Sequence, residues 1–145
     1  MLSCEVFEAA PNPDGFIGSF AAEVMPDLIE TVCRTTVYIP TNFASVVSAY
    51  LIVVSGATGN LRWSCTTDFG QICVGESYDT HSASVVEDTI AVAADELKCL
   101  DITAALVNLA ADDIVGVEFR RHGDDGLDTI GDSVYFLGVI ITICS

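Results

Sequence analysis

Four aspartates crowd one short stretch of this 145-residue chain: Asp124, Asp125 and Asp128, with Asp132 just beyond. Gly123, Gly126 and Gly131 are interleaved with them. Calcium takes six to eight oxygens, several from carboxylates, on a loop that glycine lets turn tightly. Asp124, Asp125, Asp128 and Asp132 are therefore the candidate calcium ligands, and calcium is the one cofactor the residues suggest. The spacing departs from the EF-hand pattern, and no Glu closes the loop. A second reading is structural: Arg120 or Arg121 pairs with Asp128 across the base of the loop. Lys and Arg number 5 against 21 Asp and Glu, so each cation is expected beside a carboxylate.

Other reactive residue types are present without a catalytic spacing. His81, Asp79 and Ser82 have the chemistry of a hydrolytic triad. Neighbours on an extended chain point in different directions, so they lack its geometry. The remaining histidine is His122. In so acidic a chain, any particular carboxylate pair carries little information about glycoside hydrolysis. Residues 56–60 are Gly-Ala-Thr-Gly-Asn, with neither the lysine nor the helix that a phosphate loop needs. The six cysteines, Cys4, Cys33, Cys65, Cys73, Cys99 and Cys144, contain no C-x-x-C pair, so their spacing does not suggest zinc. Cys65 and Cys73 flank an expected hairpin and are the one candidate disulfide. With no secretory signal in view, reduced thiols are favoured, most of them as small buried apolar residues. The chain reads as a non-enzyme.

Composition narrows the partners. The apolar fraction is 51% while the formal charge is -16. Such acidity repels phosphate backbones and anionic lipid, which argues against nucleic acid and membrane surfaces as partners. No run reaches the ~18 apolar residues of a membrane span, and no basic region followed by an apolar core marks a signal peptide. The apolar surplus is expected to be subunit interface, since large exposed apolar patches mark interaction sites. The plainer alternative is a sandwich that buries it internally. At the N-terminus Leu2, Cys4 and Val6 alternate with Ser3, Glu5 and Phe7. Such an arm can add a strand to a neighbour's sheet edge, making Leu2, Cys4, Val6 and Phe7 the candidate interface residues. The alternative is pairing within its own sheet.

The elements that must carry these residues read as strands. Residues 16–25, 35–39, 46–55, 61–66, 72–74 and 85–93 are apolar or alternating runs separated by turn residues. Thr67-Asp68-Phe69-Gly70 reads as a turn, and residues 91–97 admit a helical alternative. Residues 97–102 form another short apolar run, then Thr103 caps a helical turn with Leu106, Leu109 and Ala110 on one face. Residues 114–121 return as a strand, and 134–143 close the chain. A short helix between two late strands of an otherwise all-β chain is typical of jelly rolls. The expected fold is an all-β, jelly-roll β-sandwich of eight or nine strands with one short helix near residues 103–110. It is one domain, with an N-terminal arm and first strand over 1–34 and a body over 35–145.

Several pieces also occur in a familiar order. Val37-Tyr38-Ile39-Pro40 ends an early strand; Gly59-Asn60-Leu61-Arg62-Trp63 and Gly75-Glu76 follow. Then come Ala111-Asp112-Asp113, Val115-Gly116-Val117-Glu118-Phe119-Arg120-Arg121, Asp128-Thr129 and Val134-Tyr135-Phe136-Leu137-Gly138-Val139. Over residues 35–143 the chain resembles small jelly-roll domains of tailed-phage and metagenomic viral structural proteins. The resemblance implies a virion protein that decorates or stabilises a particle surface, commonly as a homotrimer, in contact with other virion proteins. It carries no catalytic motif. The ending also resembles carbohydrate-binding jelly rolls, whose aromatic platforms would here fall to Trp63, Tyr38, Tyr50, Tyr78 or Tyr135. Glycan recognition is the alternative function, and the alternation of Trp63 with Leu61 and Cys65 predicts its burial.

Overall fold

The computed structural model describes residues 3–81 and 85–145. Among the described residues there are ten strands: β1 Ser3–Ala9, β2 Gly15–Ile17, β3 Phe20–Met25, β4 Glu30–Tyr38, β5 Ser45–Ser55, β6 Gly59–Gln71, β7 Val86–Val92, β8 Leu97–Asp101, β9 Asp113–His122 and β10 Val134–Cys144. They form two antiparallel sheets. One has the order β2-β3-β10-β5-β8, with β1 also on β10; the other is β4-β9-β6-β7. The topology is that of one long hairpin rolled up. β3 pairs with β10, β4 with β9, β5 with β8 and β6 with β7. Rolling is completed where β10 also pairs with β5, and β9 with β6. This nested order is the double Greek key of a jelly roll.

Alternation drives each layer inward. In β9 every second residue from Asp113 is buried, and β4 buries Cys33, Thr35 and Val37 in the same rhythm. The core between the sheets is centred on aromatic rings. Phe119 lies 5.4 Å from Phe136 and 6.3 Å, edge-on, from Trp63. Trp63 is only 2% exposed.

Several expectations are corrected. Residues 67–70 are not a turn: β6 runs through them for 13 residues, pairing Phe69 with Val115 and Gly70 with Ile114. Phe69 is fully buried, so core burial and the partner strand override local turn chemistry. Residues 72–74, expected as a strand, form the turn instead. Residues 16–25 are not one strand but the β2–β3 hairpin, with Ile17 opposite Phe20. The expected helix contracts to a single 3-10 turn, Thr103–Leu106, and the described residues contain no α-helix. This segment has only to carry the chain from β8 in one sheet to β9 in the other. Thr103 does not cap it; its backbone N–H and hydroxyl both donate to Asp101 Oδ1, at 2.9 and 2.6 Å. The helical alternative at 91–97 is also absent, as Ala94 bridges to Ser55 between β7 and β8.

The division at residue 34 falls inside β4, and β1, β2 and β3 are strands of the six-stranded sheet, so residues before 35 belong to the sandwich, with Ala22, Met25 and Cys33 buried in it. β1 is not a detached arm either. It pairs with β10 of its own chain along its whole length, from Ser3 opposite Cys144 to Ala9 opposite Gly138. Gly138 permits this seating: its φ is 154°, and a Cβ there would lie 2.3 Å from the Glu8 carbonyl oxygen. The six cysteines are free. Cys65 is buried in β6 while Cys73 is exposed, so the candidate disulfide is not formed.

Candidate functional site

The two sheets present opposite outer faces. On the four-stranded sheet, outward positions carry charge. Arg34 reaches Glu118 at 2.9 Å, Arg120 bridges Glu118 at 2.7 Å and also Glu30, and Arg62 meets Glu87 at 2.6 Å. These pairs hold the Glu30 and Glu118 carboxyls below their ordinary values, chiefly through hydrogen bonds from Arg120. Such exposed pairs add little stability, but they mark a solvated surface.

The outer face of the six-stranded sheet is apolar. Ala22, Val54 and Leu137 form a cluster separate from the main core, with Ile17, Ile52 and Tyr135 packed against it. The register explains why. Opposite residues share a face in an antiparallel pair, so Ile17 lies with Phe20, Phe7 with Ile140, and Ile52 with Cys99. Phe7, Phe20 and Leu97 remain 55%, 53% and 57% exposed. Two adjoining hollows are lined by these side chains, and Asp95 is the one charged residue in either lining.

The candidate interface residues divide accordingly. Phe7 stands on this face. Val6, one residue earlier, packs against the main core, and Cys4 is exposed on the same strand. Leu2 lies outside the described residues.

The acidic loop is organised around Arg121, whose side chain is completely buried. Its Nη1 donates to the carbonyls of Met25 and Asp132, and its Nη2 to that of Ile130, each at 2.8 Å. Nη2 and Nε also grip Asp128, at 2.9 and 3.2 Å. The Asp128 side chain is itself shielded from solvent. The structural reading of this loop therefore holds for Arg121, while Arg120 turns outward to Glu30 and Glu118. The four aspartates are not gathered around one point. Asp125 caps Leu127 N–H at 2.8 Å and Asp132 caps Ser133 N–H at 2.7 Å. Asp124 joins Asp125 and Asp128 in lining an open depression with Asp27.

One cluster escaped the sequence reading. His81 does not meet a triad with Asp79; that carboxylate accepts from Ser77. Ser82 lies outside the described residues. His81 instead faces Asp113 and Glu76 at the end of β6 and β9. Its Nδ1 is 3.1 Å from Asp113 Oδ2, and its Nε2 is 3.2 Å from Glu76 Oε2. Asp113 first, then Glu76, pushes the imidazole pKa up. His81 and Asp113 are 32 residues apart, so only strand pairing unites them. The single local signal was the i, i+5 spacing of Glu76 and His81, which is too common to act on.

The aromatic residues do not make a sugar platform around Trp63, which is buried. Tyr38 and Tyr78 are exposed, but the Tyr38 hydroxyl donates to Asp112 at 2.7 Å. The ring contacts among the described residues include no tyrosine.

Fold and surface together define an all-β jelly-roll sandwich with one charged and one apolar outer face. No protein-family model, curated protein or solved structure matches the chain. No helix among the described residues is long and apolar enough to cross a membrane.

Proposed function

We propose that this chain is a non-enzymatic structural protein of a viral particle surface. It decorates or stabilises the particle by packing against further copies of itself and against other virion proteins. The apolar outer face of the six-stranded sheet carries this reading. In a chain of formal charge -16, copies repel one another over most of their surface. This face lets two copies meet with few opposing carboxylates. Magnitudes favour it: each ~100 Å² of apolar area covered contributes about 2.5 kcal/mol gross, before association costs. A surface charge pair at ~4 Å in water contributes only about 1 kcal/mol.

The resemblance to tailed-phage structural domains supplies the particle context and suggests a trimer. Light scattering on the parent and on Phe20→Asp tests self-association. The parent should run as a trimer or larger species and Phe20→Asp as a folded monomer, with Thr36→Asp on the other sheet unchanged. A monomeric parent at high concentration would overturn self-packing. Detecting the chain's peptides in gradient-purified particles tests the virion assignment, and their absence there would refute it.

A further inference from the structure

The cluster of Glu76, His81 and Asp113 has the chemistry of a metal centre. One ligand atom from each lies within 4.8 Å of the other two. Metal bonds of ~2.1 Å bring any two ligand atoms to within about 4.2 Å. A small inward movement closes that gap, and Glu76, exposed on the 72–81 loop, can supply it.

The supports are built into the fold. His81 N–H donates to the Phe69 carbonyl at 2.9 Å, which ties the loop to β6. The Phe69 ring stands edge-on to the imidazole at 6.3 Å. Gln71 N–H holds Glu76 Oε2, and Ala110 N–H holds Asp113 Oδ2, each at 2.8 Å. Gly70 makes room for the fold-back, since a Cβ there would lie 2.3 Å from the Ser77 carbonyl oxygen.

Two observations point to a cation. Asp113 is fully buried, yet its Oδ1 has no hydrogen-bond partner. A buried carboxylate oxygen without a partner carries a full desolvation cost that a bound cation would remove. In addition, among the described residues no Lys or Arg pairs with Glu76 or Asp113; the cations pair elsewhere. His81 is the one base that faces these two carboxylates, so acidic groups outnumber basic ones here whatever the ring's protonation.

We propose that Glu76, His81 and Asp113 bind a divalent transition-metal ion, zinc foremost. The donors are one imidazole nitrogen and one oxygen from each carboxylate, with water completing the coordination. Imidazole with two carboxylates suits zinc-class ions, whereas calcium requires six to eight oxygens. The site pins the 72–81 loop to the start of β9.

The test uses the full chain, stripped with EDTA and titrated with zinc chloride at neutral pH. Calorimetry should show one equivalent bound, with a rise in melting temperature. Glu76→Gln and His81→Gln should each weaken binding about tenfold or more. Both positions are accessible, so these variants should fold; Asp125→Asn in the acidic loop should bind zinc like the parent. Of the two histidines, zinc should shift the ring resonances of His81 and leave those of His122 in place. Three results would overturn the site: no binding, binding unchanged in His81→Gln, or a sulfur-to-metal charge-transfer band with cobalt, which would place the ion on cysteine.

Discussion

Replacing Arg121 by methionine keeps a long apolar stem and removes every hydrogen bond of the guanidinium. Three carbonyls, those of Met25, Ile130 and Asp132, lose their donor, and Asp128 is left as a buried carboxylate without its cation. Breaking a buried ion pair from one side costs roughly 3–5 kcal/mol. A buried carbonyl stripped of its partner costs about 1 kcal/mol or more. The acidic loop can relax toward water, so the terms do not simply add, and a total near 5 kcal/mol is expected. At ~2.1 cal/mol/K of unfolding entropy per residue, a chain of 145 residues should lose roughly 16 °C of melting temperature. Urea unfolding of Arg121→Met, Asp128→Asn and the double variant forms the cycle. The amide introduced by Asp128→Asn is uncharged, so the double variant should recover about 2–3 kcal/mol of the Arg121→Met loss, the part due to the stranded charge. The carbonyl part should persist. Added salt should hardly change the result, because the pair is shielded from solvent. A loss below about 1.5 kcal/mol, or a double variant equal to the sum of the singles, would refute the view that one buried pair organises this loop.

Other expectations follow from the same geometry. Gly138→Ala should unseat β1 at a cost of roughly 1–3 kcal/mol, read as faster amide exchange along Ser3–Ala9; unchanged protection would mean that the close approach of Glu8 is unimportant. Glu23 is buried at the core edge, its Oε2 lacks a partner, and desolvation raises its pKa above the ordinary 4.5. Its charged form therefore destabilises the fold, a penalty that develops as pH rises from 4.5 through the folded value and is complete above it. Glu23→Gln should raise the melting temperature at neutral pH, with the gain vanishing below pH 4.5; an equal gain at every pH would contradict this. Asp128 is committed to Arg121, so millimolar calcium should leave the melting temperature within about 1 °C of its starting value, a narrow fraction of the shift that saturating ligand produces. A large calcium-dependent rise would revive the loop as a calcium site.

Periodicity made much of the sandwich legible. The alternation in residues 114–121 and the long apolar run near the C-terminus became β9 and β10, the centre of both sheets. Misreadings fell where local and tertiary preferences conflict. Thr67-Asp68-Phe69-Gly70 has turn chemistry, yet pairing with β9 and burial of Phe69 draw it into β6. Residues 103–110 have helical spacing, yet the crossing between sheets leaves room for one 3-10 turn. The pairing of Asp128 with Arg121 was foreseeable because the two are seven residues apart and cations are scarce.

Sequence by itself determined the all-β class, the acidity and the excess of apolar residues, because composition and a two-residue period are local properties. Which apolar residues remain outside was decided by the tertiary structure. Main-core residues and outer-face residues alternate along the same strands, and only the closing of the sheets says which set is covered. The union of Glu76 and His81 with Asp113 was decided in the same way, since their chemistry depends on a distance in space that strand register fixes and sequence separation conceals.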